Sequence, residues 1–170
     1  MGHVLRTEVA PRWLRIHSLP NAKRYPDNEL EYQVLLSRHN EVATHVLGHS
    51  TQCLLFCAGP DPESLGRFAE RYPTVEPHPV EDLSYQEPDD PESLVRFVAA
   101  DVTWQSGAFD ALLRDIADER GPRSLFFSRA SAFAFAPYDG GADIFAPTTH
   151  PVSELRRKWA PWLSSHPDGV

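Results

Sequence analysis

Apolar and polar positions alternate most strictly in the stretch Phe133-Ala134-Phe135-Ala136-Pro137-Tyr138-Asp139-Gly140-Gly141-Ala142-Asp143-Ile144-Phe145. Alternation, a run of turn residues and a second apolar arm predict a β-hairpin. The parity is the same whether the turn is Asp139-Gly140 or Gly140-Gly141. Phe133, Phe135 and Ile144 share one face, and Ala134, Ala136, Asp143 and Phe145 share the other. Apolar residues on both sides predict a place inside a sheet that is covered on both faces, and the alanine face would let a helix approach closely.

The same periodicities order the rest of the chain. Residues 11–17 read as a short strand, with Leu14 and Ile16 on one side and Trp13 and Arg15 on the other. Asn28 and Glu31 form a capping box, which predicts a helix over 29–47 that Gly48 ends. Its apolar side carries Leu35, Val42 and Val46, with Tyr32, Leu36 and His39 beside them. Residues 52–57 read as a strand, and 62–72 have helical spacing at Leu65, Phe68, Ala69 and Tyr72. Five prolines between 73 and 91 then stand among acids, so the segment at about 73–92 reads as an irregular acidic excursion with a short strand around Thr74-Val75. Residues 94–102 resume the core as a strand.

Ser106 caps a predicted helix in which Phe109, Leu112, Leu113, Ile116 and Ala117 face inward and Asp110, Arg114, Asp115 and Asp118 face water. A strand over 124–128 leads into the hairpin, giving three antiparallel strands between about 123 and 146. The last helix starts near Pro151, carries Val152, Leu155, Trp159, Trp162 and Leu163, and kinks at Pro161. The pattern predicts one α+β domain over residues 1–170: a mostly antiparallel sheet of five or six strands with helices packed on its faces.

Composition narrows the function. The net charge is −8, and seven acids with no Lys or Arg lie between Glu76 and Glu92. Phosphate binding needs clustered positive charge, so this balance argues against nucleic acid as a partner of the protein as a whole. No apolar run is long enough to span a membrane, and the first residues lack the apolar core of a secretory signal, so a cytoplasmic location is expected. Cys53 and Cys57 would share a strand face about 13 Å apart, too far for a disulfide. They read as buried free thiols.

Recognised chemistry is scarce. There is no phosphate loop and no dinucleotide fingerprint, and no Gly-x-Ser-x-Gly elbow, so no cofactor is expected. His45 and His49 are four residues apart, but Gly48 breaks the helix between them; no metal site is expected, although His39, Asp143 and His17 could assemble one from a distance. Asp143 is the residue at odds with its face, because an unpaired carboxylate there is costly. It is either paired with a nearby cation or turn amides, or it is a recognition or catalytic carboxylate at the sheet end. Candidate catalytic residues are thus Asp139, Asp143 and His39.

Lys23, Arg24 and Tyr25 form a cationic, aromatic loop that could hold a phosphate, a carboxylate or a partner. The same cations could instead bridge to Asp139 or Asp143 and staple the loop to the hairpin. The acidic excursion, with Glu81, Asp82, Asp89 and Asp90, is either a solvated loop or a docking surface for a basic partner.

The segment Pro137-Tyr138-Asp139-Gly140-Gly141-Ala142-Asp143, the ending Trp162-Leu163-Ser164-Ser165-His166-Pro167-Asp168-Gly169, and Arg15-Ile16-His17-Ser18-Leu19-Pro20-Asn21-Ala22-Lys23-Arg24-Tyr25 near the start together resemble an uncharacterised family of small bacterial proteins. The resemblance covers the two ends and implies a bacterial origin. Relatives of such folds often sit among toxin and immunity genes. The expected role is a non-enzymatic protein-binding module, immunity- or antitoxin-like, whose acidic surface covers a basic partner such as a toxin. The alternative is an enzyme of unrecognised type with a carboxylate and histidine site near the hairpin.

Overall fold

A computed structural model describes residues 10–59, 68, 70–72, 75–87 and 90–163, with backbone alone at 59, 81–87 and 90–94. Its strands are β1 (Trp13–His17), β2 (Thr51–Gly59), β3 (His78–Glu87), β4 (Asp90–Trp104), β5 (Arg123–Ser128), β6 (Ala134–Tyr138) and β7 (Gly141–Phe145). They form a seven-stranded sheet in the order β1-β7-β6-β5-β2-β4-β3. Every neighbouring pair is antiparallel. The α-helices whose bounds lie among the described residues are α1 (Glu29–Leu47), α2 (Asp110–Ala117) and α3 (His150–Lys158). The fold is α+β as expected, with more strands than the five or six predicted.

The added strand comes from the acidic segment. Residues 78–87, expected to be irregular, are β3, and β4 begins at Asp90. Proline cannot donate to a sheet ladder, but an edge strand needs only one bonded side. β3 is such an edge, and its register shifts between Pro79 and Ser84. Val75 is buried outside any strand, and Thr74 lies outside the described residues. Of the helix expected over 62–72, Phe68, Glu70 and Arg71 are helical, Tyr72 follows outside the helix, and the remaining positions lie outside the described residues.

The hairpin forms with Tyr138 paired to Gly141, which places Asp139-Gly140 in the turn. Phe135 pairs with Ile144, Ala134 with Phe145 and Ala136 with Asp143, as parity requires. Phe135 and Ile144 join the main core with the residues of α1 and α2. Trp104 is its centre: the ring stacks on Phe109 and meets Phe126 edge-on, and its Nε1 donates to Thr44 Oγ1 at 3.0 Å. A smaller cluster of Trp13, Leu125, Ala134 and Phe145, with Phe56, Phe127 and Ala136, lies on the opposite face. The helices therefore pack against the phenylalanine face of the hairpin and not, as expected, against its alanine face.

Local chemistry fixes the helix ends. Asn28 Oδ1 accepts from the Glu31 amide at 3.1 Å and caps α1, and Gly48 closes it at φ 99°. α2 begins later than Ser106 predicts, at Asp110, after a turn through Gly107 at φ 84°. Asp115, expected to face water, is buried because Arg71 reaches it with Nε at 2.5 Å and Nη2 at 2.6 Å while the Tyr72 hydroxyl also donates to it. α3 ends at Lys158, and Pro161 lies in a following 3-10 turn, so it does not kink a helix.

Candidate functional site

Asp143 lies between Ala136 of β6 and Arg15 of β1. Its side chain is buried, and strand order supplies its partners. Arg15 donates from Nε to Oδ1 at 2.9 Å and from Nη2 to Oδ2 at 3.4 Å, and Trp13 Nε1 donates to Oδ1 at 3.0 Å. The Arg15 guanidinium in turn lies 4.8 Å from the Tyr138 ring centre and 5.4 Å from that of Trp13. Charge-assisted bonds offset the cost of burying both ions. Of the two readings open for Asp143, the cation-paired one describes its geometry.

The loop at Lys23 and Arg24 is similarly engaged. Arg24 Nε donates to Asp139, and its Nη2 lies 3.7 Å from Glu119. The hydrogen bond to Asp139 holds the Arg24 proton more firmly than usual. Lys23 Nζ donates to Asp27 at 2.7 Å and to Glu31 at 2.5 Å. The exposed Tyr25 ring lies 5.3 Å from the Arg24 guanidinium. The loop is thus stapled to the hairpin turn through Asp139 and to the start of α1 through Glu31.

His39 points from α1 into the core, edge-on to Phe135, with its Nε2 2.8 Å from Ser18 Oγ. Its Nδ1 has no hydrogen-bond partner among the described residues. Burial, aided by the nearby charge of Arg38, pushes this imidazole down to about 4, so it is neutral at pH 7. The Ser18–His39 pair has no local sequence signal, because its members stand 21 residues apart. At 0% and 1% exposure it is closed to any substrate. His39 sits on the helix-covered face with Phe135, whereas Asp143 sits on the other face with Phe145, so the sheet separates the candidate catalytic residues.

The remaining candidates divide the same way. Cys53 and Cys57 are free and buried, and burial pushes the Cys57 thiol up to about 12, which keeps it protonated. Among the described residues no group of three or more His, Cys, Asp or Glu side chains is placed to hold a metal ion. No helix among the described residues is long and apolar enough to cross a membrane. Glu81, Asp82 and Glu87 lie on β3, the last strand of the sheet, and Asp90 opens β4. Asp89 lies outside the described residues.

Two depressions lie beside α1 and α3. One of about 700 Å³ is lined by polar residues including Asn40, Glu41, Thr44, Ser106 and Asp110. The other, of about 350 Å³, is walled by Val46, Phe133, Pro151 and Leu155. His45 and Lys158 line both. The sequence signal for this region is the run Arg156-Arg157-Lys158 in the last turn of α3, which the apolar periodicity of that helix overshadows.

A family model described as a domain of unknown function, DUF3885, matches residues 1–167, the acidic middle included. No curated protein and no solved structure matches the chain.

Proposed function

We propose that this chain, which belongs to the DUF3885 family, is a non-enzymatic protein-binding module of a bacterial cytoplasm that holds a basic protein on its acidic sheet edge. The observation that carries this reading is the position of the acid run: β3 ends the sheet, and no strand pairs with its outer side among the described residues. An edge strand offers unpaired backbone N–H and C=O groups to an extended partner. Concentrated negative charge draws in a basic one and fixes its register. The finer form of the proposal is an immunity- or antitoxin-like role, the partner being a basic toxin.

The engagement of the other candidates supports binding over catalysis. Asp143 is held by Arg15 and Trp13, Asp139 by Arg24, and His39 is enclosed with Ser18 on the far side of the sheet. An enzyme built on these three residues would need them to converge on one substrate.

The test compares the tagged chain with a double variant, Glu81→Lys with Asp82→Lys, in capture from host lysate and in coexpression with the neighbouring gene product. The expected result is a basic protein recovered in stoichiometric amount by the parent chain, lost by the variant and released at high salt. Recovery of no such partner, or equal recovery by both chains, overturns the reading.

A further inference from the structure

The smaller depression is built from three elements. α1 contributes His45 and Val46, the approach to β6 contributes Phe133, and α3 contributes Pro151, Glu154, Leu155, Arg157 and Lys158. Residues 151, 154, 155 and 158 follow the i, i+3, i+4, i+7 spacing of one helix face. Val46 and Leu155 belong to the main core, and Phe133 packs against it. The floor is therefore apolar and fixed, while the charged groups stand at the rim. A volume of about 350 Å³ falls within the usual range of small-molecule sites.

The charges at that rim are unbalanced. Lys158 Nζ lies 3.1 Å from His45 Nδ1. An ammonium can only donate, so the imidazole accepts with a bare nitrogen and is neutral in this contact. Partial desolvation of this otherwise exposed ring and the adjacent ammonium both disfavour its protonation, against a weaker opposing pull from Glu41. Arg15, Lys23, Arg24, Arg71, Arg114 and Arg120 each have a carboxylate within 4.0 Å; among the described residues Arg157 and Lys158 have none, and Arg12, Arg38 and Arg156, which also have none, each donate to a backbone carbonyl instead. Glu154 lines the same cavity one turn earlier on α3 and pairs with neither.

We propose that this cavity binds a small organic carboxylate with an apolar body, the carboxylate received by Lys158 and Arg157 beside His45 and the body seated on Val46, Phe133 and Leu155. The carboxylate supplies the counter-charge that the two cations lack, and the apolar part covers the partly exposed Phe133 and Pro151. Glu154 selects against multiply charged anions such as phosphate, because a second negative charge would meet it at the rim. The site lies on the helical side and is independent of the β3 edge.

Phenylacetate is the probe, phenylacetamide its uncharged counterpart and acetate its counterpart without an apolar body. Each is titrated into the full chain while the His45 imidazole and the Val46 and Leu155 methyl signals are followed by NMR. Phenylacetate is expected to give saturable shifts at all three residues and to raise the pKa of His45 toward its ordinary value of 6.5. Binding should weaken about tenfold or more with phenylacetamide, with acetate, and with phenylacetate on Lys158→Gln, as loss of a charge-assisted bond or of the apolar contact predicts. Lys158 is exposed, so the variant should keep its thermal midpoint; if it does not, Arg157→Gln takes its place. No saturable shift, or equal affinity for the acid and the amide, overturns the proposal, as does unchanged affinity in the substituted chain.

Discussion

Asp143 is held by residues far away along the chain: Arg15 lies 128 positions before it and Trp13 lies 130 before it. Its conflict with an apolar sheet face is readable from alternation alone. Its partners are not, because nothing local says that the first strand pairs with the last. The pairing makes a firm prediction. Asp143→Asn leaves the largely buried Arg15 guanidinium without its counter-charge, and breaking such a pair costs about 3 kcal/mol. Urea denaturation should show that loss as a lower midpoint with an unchanged slope. An unaltered midpoint would mean that the carboxylate is not structural.

At the scale of elements, the two glycines of the hairpin do different work. Neither adopts the left-handed conformation that usually selects glycine in a two-residue hairpin turn. Gly141 is required by the approach of β1: a Cβ there would lie 2.0 Å from the Ile16 carbonyl oxygen. A Cβ on Gly140 would meet only side-chain atoms of Tyr138 and Arg24, at 3.3 and 3.4 Å. Gly141→Ala should therefore destabilise by roughly 3 kcal/mol, near the upper end for overpacking, and should speed hydrogen exchange across β1 and β7. Gly140→Ala should stay within about 1 kcal/mol of the parent. Equal effects from the two substitutions would contradict this division. The glycine turn is legible in the sequence, but the reason for its second glycine belongs to a strand that the hairpin's own residues do not reveal.

For the whole molecule, a buried imidazole and two partly desolvated ones tie stability to pH. His39 titrates at about 4 in the folded chain against an ordinary 6.5, so the unfolded chain binds the proton more readily. The stability it contributes is complete above 6.5 and is lost as pH falls toward 4, at about 1.4 kcal/mol per pH unit. His17 and His45 are also lowered by partial desolvation and neighbouring cations, and they steepen the upper part of that window. Urea midpoints measured between pH 7 and pH 4.5 should fall accordingly, and His39→Gln should flatten the curve by one proton's worth. A slope unchanged by that substitution would show that His39 does not set the acid limit.

The residues alone determine the elements whose signals lie within one turn or one strand. The Asn28 cap and apolar stripe define α1, Leu112, Leu113 and Ile116 define the inward side of α2, and alternation with Asp139-Gly140 defines the hairpin and its two faces. Those features follow from backbone period and side-chain polarity, which neighbouring residues decide. The tertiary structure alone decides that Pro79 and its acids can form an edge strand, that Asp115 is buried, and that His39 and Asp143 stand on opposite sides of one sheet. It also brings His45 against Lys158 across 113 positions. Each of these depends on which distant segments meet, and that is settled by burying one shared core, a free energy of the whole chain that no local window contains.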